Sequence, residues 1–148
     1  MMRVKRVLHP VGHGAFFTEQ FLEYANGSDK NVFNVVYDCG VQVNLPLLNQ
    51  EIDDVFANTD RKHVDFLFIS HLDKDHVSGI KYLIKKSYAD AQTTFILPLY
   101  KDYHLALYER LTGRAVLSIF NLIGQTQSKR VFYVPLSAEE SYTDDGGT

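Results

Sequence analysis

The sequence predicts a layered α/β domain, and three observations carry that expectation. Two short apolar runs, 32–37 and 64–70, read as buried strands, and between them residues 46–58 carry apolar side chains at helical spacing. The second run is followed by an amphipathic stretch, 77–86, and by a further strand-like run, 93–97. The size suits a single domain: 148 residues, 45% of them hydrophobic, can bury a core without disulfides or structural metal.

Taken in order, residues 4–8 and 15–24 read as two strands around the glycine turn Gly12-His13-Gly14, because Val and aromatic residues dominate them. Residues 26–30 (Asn-Gly-Ser-Asp-Lys) form a turn cluster, so the strands on either side of it are expected to pair as a hairpin. The third strand, 32–37, runs into Asp38-Cys39-Gly40. The helix 46–58 opens on Pro46, which suits a first helical turn, and presents Leu47, Leu48, Ile52, Val55 and Phe56 on one face and Glu51, Asp53 and Asp54 on the other. In 77–86, Val77, Ile80, Leu83 and Ile84 share a face. Pro98 is expected to end the strand 93–97. Residues 103–123 have apolar residues three and four apart, broken or capped at Gly113, which makes two helices or one kinked helix. Residues 131–136 form a last strand, closing a domain of 1–136, and 137–148 is an acidic tail of small residues expected to be poorly ordered.

The single Cys39 excludes a disulfide within the chain, so a reducing compartment, the cytoplasm, is the expectation. No apolar run of about 7–15 residues follows the basic start, as a secretory signal would require. The longest apolar runs, about six residues, fall far short of the ~20 needed to span a bilayer. A net charge of -3 gives no global field that would attract nucleic acid.

The chemically informative stretch is Ser70-His71-Leu72-Asp73-Lys74-Asp75-His76-Val77-Ser78-Gly79. Two His and two Asp lie within six residues, directly after a strand and before a helix, so side chains able to bind a metal converge on one turn. His71 and Asp73 are expected to point to one side, with Asp75 and His76 placed to serve a second ion beside the first. The alternative leaves Asp73 and Asp75 as solvated turn residues, with Asp75 at the start of the helix.

This stretch resembles the signature of the metallo-β-lactamase fold of metal-dependent hydrolases, a strand followed by His-x-His-x-Asp-His and a helix opening on small residues. Here the second histidine is replaced by Asp73, and the His-x-Asp-x-Asp-His form looks like that of the competence-protein branch, which is linked to DNA uptake and phosphodiester chemistry. Two upstream blocks extend the resemblance in the family's order: Val11-Gly12-His13-Gly14-Ala15 is similar to the branch's opening motif, and Val35-Val36-Tyr37-Asp38-Cys39-Gly40 to its strand ending in Asp-x-Gly. The resemblance implies an αββα sandwich of which this chain supplies the N-terminal half. It implies two divalent metal ions, zinc in the first place and manganese as the alternative, since the Asp73 carboxylate hardens the first site. His71 and Asp73 would hold one ion and Asp75 and His76 the other, with Asp38 as a supporting residue beside them. Asp75 would also act catalytically by orienting the nucleophilic water.

The family draws later ligands, a third His, a bridging Asp and a final His, from a second half. After His76 the only histidine is His104, which reads as a surface or packing residue of a helix. Three explanations stand side by side: a truncation, a subunit completed by itself or by a partner chain, and a degenerate domain kept for binding. An isolated half would leave apolar sheet surface uncovered, so a homo-oligomer, a dimer above all, or a partner chain is expected. Two functions follow: a metal-dependent hydrolase acting on a phosphodiester or other ester, with nucleic acid or a nucleotide as substrate; or a non-catalytic interaction and assembly module. A third, nucleic-acid binding without catalysis, has little support from the charge. His13 reads as a solvated turn residue, Cys39 as a buried structural thiol, and His63 as a surface residue. Lys81, Lys85 and Lys86 read as a solvated basic face, and Tyr82, Tyr88, Tyr100, Tyr103 and Tyr108 as core or interface residues.

Overall fold

One turn sets the register of the first half of the sheet. Asn26 (φ 54°) and Gly27 (φ 81°) both adopt left-handed backbone, as a two-residue type I′ hairpin requires, so Ala25 pairs directly with Ser28. The expected five-residue loop contracts to two, and the strands lengthen accordingly. Strands β1 (Met2–Leu8), β2 (Gly14–Ala25) and β3 (Ser28–Val41) form an antiparallel meander. The computed structural model describes residues 1–101, 104–105, 109–110 and 117–135.

Beyond β3 the chain alternates helix and strand. Helix α1 (Leu45–Phe56) is capped by Asn44, whose side chain accepts from the Leu47 N–H at 3.2 Å, and it buries Leu48, Ile52, Val55 and Phe56. Strand β4 (Phe66–Phe68) is three residues long rather than seven. Its approach is fixed by polar contacts: the Asn34 N–H donates to Asp65 Oδ2 at 2.7 Å, the Asn34 amide donates to the His63 carbonyl at 2.8 Å, and Arg61 pairs with Asp65. The single helix expected over 77–86 is two, α2 (Lys74–Val77) and α3 (Ile80–Lys85), separated at Gly79. Asp53 of α1 accepts from the Tyr82 and Tyr88 hydroxyls at 2.7 and 2.9 Å, tying α1 to α3 and the turn that follows it. Burial, then the Asp53 carboxylate, pushes Tyr88 up to about 12.

Strand β5 (Thr94–Leu99) continues through Pro98, where the sequence pattern places its end. The Ile96 carbonyl accepts from the Ile69 N–H, so Ile96 and, two residues on, Pro98 turn their main-chain groups toward the β4 side. Pairing with β4 stops at Phe68 and Ile96, so no ladder bond is lost to the missing proline N–H. Helix α4 (Leu117–Gln125) and strand β6 (Val131–Pro135) complete the described elements. Most of the expected helical run from 103 to 116, the last residue of the expected strand 131–136 and the acidic tail 137–148 lie outside the described residues.

The result is a mixed six-stranded α/β sheet in the order β1-β2-β3-β4-β5-β6, antiparallel across the first three strands and parallel from β3 to β6. One face carries the core. The register aligns Thr18, Val36, Leu67 and Phe95 in a row, and Val36, Leu67 and Phe95 pack with Leu48, Ile52, Phe56, Ile80, Leu83, Ile119 and Ile123 from the helices. Full burial of each such side chain is worth ~1.5–3 kcal/mol. Among the described residues no helix is long and apolar enough to cross a membrane.

Candidate metal centre

The site begins with an irregularity in β3. Phe16 pairs with Cys39 and Phe17 with Tyr37, so Asp38 is an extra residue with no partner on β2, and its φ is 52°. This bulge keeps Val36, Cys39 and Val41 all facing the helices while Asp38 leaves the ladder. Left-handed backbone at a non-glycine residue is a strained arrangement that clusters at functional sites. The Asp38 carboxylate is turned toward the end of β4 and onto α2, where it accepts from the Ser70 N–H (2.7 Å), the Ser70 hydroxyl (2.7 Å) and His76 Nδ1 (2.8 Å).

Helix α2 sits on β3 at a point only glycine permits. A Cβ on Gly40 would lie 2.5 Å from the Asp75 carbonyl carbon and 2.5 Å from the His76 nitrogen, both main-chain atoms. The Gly79 N–H donates to the Cys39 carbonyl at 2.8 Å, and Ser78 Oγ bonds both the N–H and the C=O of Val41. Lys74 Nζ donates to the Gln42 carbonyl at 2.7 Å. The three sequence blocks 11–15, 35–40 and 70–79 thus meet in space at the carboxyl ends of parallel strands, where open α/β sheets bind ligands.

Hydrogen-bond logic assigns the imidazole tautomers. The one Ser70 hydroxyl proton goes to Asp38, so the contact between Ser70 Oγ and His71 Nδ1 (2.9 Å) has the imidazole as donor. His76 Nδ1 likewise donates to Asp38. In the neutral imidazole, each ring then keeps Nε2 as an acceptor. His71 Nε2 lies 3.5 Å from Asp73 Oδ2, and His76 Nε2 lies 3.6 Å from Asp75 Oδ2. Two acceptors facing one another repel unless a cation or a second imidazole proton lies between them. The separations are also close to the ~3.4 Å expected between an imidazole nitrogen and a carboxylate oxygen held at a tetrahedral angle by one zinc-sized ion. The two rings are neighbours, with centroids 3.7 Å apart. No family model matches the chain, and no curated protein is similar to it.

The donor types, imidazole and carboxylate, are those a divalent cation takes, and they stand in two pairs, His71 with Asp73 and His76 with Asp75. Among the described residues no group of three or more His, Cys, Asp or Glu side chains is arranged to hold an ion. His13, read from the sequence as a solvated turn residue, is 79% exposed yet has Nε2 4.0 Å from Asp75 Oδ2, so it stands at the mouth of the site. Ser70 is the residue that sequence reasoning missed; its only signal was a hydroxyl directly before His71. Tyr100 is a core or interface residue by its sequence pattern. Burial raises its hydroxyl above the ordinary 10, the Leu72 backbone opposes this, and the Asp73 charge adds to the rise, which places Tyr100 against the site loop.

Cys39 is fully buried in the core, and burial pushes its thiol far up, as suits a packing residue. The His104 N–H donates to the Lys101 carbonyl, a helical turn contact, and His104 is half-buried. Lys86 is an exception to the solvated basic face, since its ammonium lies 3.7 Å from Asp53 and over the Tyr82 ring. His9 is buried, with Nδ1 3.2 Å from Glu51, Nε2 2.9 Å from the Thr18 hydroxyl and its ring stacked on Phe16. Beside the site a groove of about 440 Å³ is lined by Tyr37, Asp38, Phe68, Ser70, Pro98 and Val134, among others.

Proposed function

We propose that this chain is a metal-dependent hydrolase of metallo-β-lactamase type, or the N-terminal half of one, acting on a phosphodiester or another ester bond. The observation that carries the reading is the pair of imidazoles whose Nδ1 atoms are anchored on Asp38 and Ser70, leaving Nε2 acceptors opposed to the Asp73 and Asp75 carboxylates at 3.5 and 3.6 Å. A carboxylate behind a histidine fixes its tautomer and raises its basicity, the arrangement metal-binding histidines use. In this reading His71 and Asp73 hold one divalent cation and Asp75 and His76 a second, with zinc preferred and manganese the alternative. Such ions, when bound, lower the pKa of water and polarise the scissile oxygen. Asp38 holds the His76 proton on Nδ1, Ser70 relays the same constraint to His71, and Asp75, reached by both His13 and His76, orients the attacking water.

The finer fold reading is an αββα sandwich to which this chain contributes one sheet and its helix layer. A second reading, a non-catalytic assembly module, is favoured by the donors standing in pairs with no third member among the described residues. Elemental analysis of the purified chain beside Asp75→Ala separates the two. One to two ions per chain, lost in the variant, support the hydrolytic reading and justify phosphodiester substrates; no metal in either protein sinks it.

A further inference from the structure

The sheet face opposite the helices carries one unbroken apolar row. Register places Leu8 beside Phe17, Phe17 beside Tyr37, Tyr37 beside Phe68, Phe68 beside Ile96 and Ile96 beside Phe132, one residue from every strand. The aromatic members touch: Phe17–Tyr37 centroids are 5.5 Å apart, and Tyr37 stacks on Phe68 at 4.9 Å. Phe21, Phe33 and Phe66 continue the surface, with centroid distances of 5.8 and 5.1 Å. None of these residues belongs to the buried core cluster, and Leu8 and Phe132, at opposite edges, are 75% and 58% exposed.

We infer that this face is the interface of a symmetric dimer, a second copy of the chain packing sheet against sheet. Area and charge both favour a second copy as the occupant. Five strand spacings of about 4.8 Å make the row ~24 Å wide, and with the adjoining Val4, Phe21, Phe33 and Phe66 the patch covers on the order of 500 Å². Burying it on two copies removes roughly 1,000 Å² from water, the threshold for a specific interface and in the range of a reversible, concentration-dependent one. The adjoining row, Arg6–Glu19–Val35–Phe66–Thr94, carries a single ion pair, Arg6 Nε to Glu19 Oε1 at 2.6 Å, so two copies of the face meet without net repulsion. A twofold axis along the strands between β3 and β4 lays row on row in reverse order. It sets Leu8 of one copy over Phe132 of the other, at the edge of the groove that Val134 helps to line. Aligned packing of this kind is the ordinary geometry of two sheets face to face.

The inference does not rest on the hydrolytic reading, and its test is run in chelator so that metal plays no part. Light scattering or sedimentation of the full chain, from about 5 to about 500 µM, is expected to show the mass rising from 16.9 kDa toward twice that value. Leu8→Asp and Phe132→Asp, each with unchanged circular dichroism, are expected to hold the monomer mass throughout. Val43→Asp, at a residue 84% exposed outside the row, is expected to associate like wild type. A wild-type monomer at every concentration overturns the inference. So does association that survives Leu8→Asp, or that Val43→Asp abolishes equally.

Discussion

Asp38 is the residue on which both the fold of the site loop and its chemistry turn, and two substitutions separate these roles. In Asp38→Ala the Ser70 N–H, the Ser70 hydroxyl and His76 Nδ1 lose a charged acceptor at 2.7, 2.7 and 2.8 Å. Hydrogen bonds to a charged group contribute about 1.5–3 kcal/mol each when shielded. Ser70 is exposed and water replaces much of its loss, whereas the His76 and Asp38 side chains are only 20% and 13% exposed. Counting one bond in full, two at a fraction, and about 1 kcal/mol for alanine in left-handed backbone gives a cost of roughly 3–4 kcal/mol. For a domain of this size that is a melting shift of about 10 °C. Asp38→Asn tolerates φ 52° and keeps the shape, so its stability cost is about 1 kcal/mol. Its amide, however, offers N–H where His76 Nδ1 needs an acceptor, which drives His76 to the tautomer with a proton on Nε2. Metal affinity, measured by titration with zinc and a competing chelator, should then fall ~10–100-fold while the melting curve stays near wild type. Wild-type metal binding in Asp38→Asn refutes the tautomer argument; a wild-type melting curve in Asp38→Ala refutes the anchoring role.

Gly40→Ala puts a Cβ 2.5 Å from main-chain atoms of Asp75 and His76, so α2 must lift off β3; about 1–3 kcal/mol is lost and bound metal falls, whereas Gly124→Ala, with nothing within 4 Å, melts at or above wild type. An unchanged metal content in Gly40→Ala contradicts the packing that places the site. His9 has its folded pKa lowered from 6.5, first by burial, with the Glu51 hydrogen bond opposing. Below about 6.5 the unfolded chain takes up the proton before the folded one, so the stability His9 contributes is complete above that pH and is lost as pH falls toward the lowered folded value. His9→Gln should flatten the stability profile below about pH 6.5, which denaturant midpoints on either side of that pH will test.

What was legible in the sequence follows from period and local chemistry. The Asn26-Gly27 pair announces a hairpin because only such residues accept two consecutive left-handed conformations, and the alternation of strand runs with the 46–58 helix announces the α/β layers. The cluster 70–79 was found because four donor residues on one turn are conspicuous by type alone. Element ends were less legible. A proline ends a strand only where its absent N–H would have bonded, and Pro98 lies past the end of the β4 ladder, a fact of register rather than of composition. The bulge at Asp38 is likewise a mismatch between two strands, visible in neither alone, and without it Ser70 gives no sign that it links two imidazoles to one carboxylate.

The unbroken apolar run 66–69 within the strand-like stretch 64–70 is where sequence and structure inform each other most. A strand apolar at every position is written to be buried on both faces. In the fold Leu67 and Ile69 turn toward the helices, while Phe66 and Phe68 turn the other way, joining Phe17, Tyr37, Ile96 and Phe132 on a face with no helix layer among the described residues. Hydrophobicity at 66–69 therefore divides between two faces. The helices satisfy one of them, and the row across all six strands is what remains of the other. The row passes Asp38 and Ser70 at its middle, where Tyr37 and Phe68 line the groove, so a second copy seated on it, as inferred above, would also close one wall of that groove.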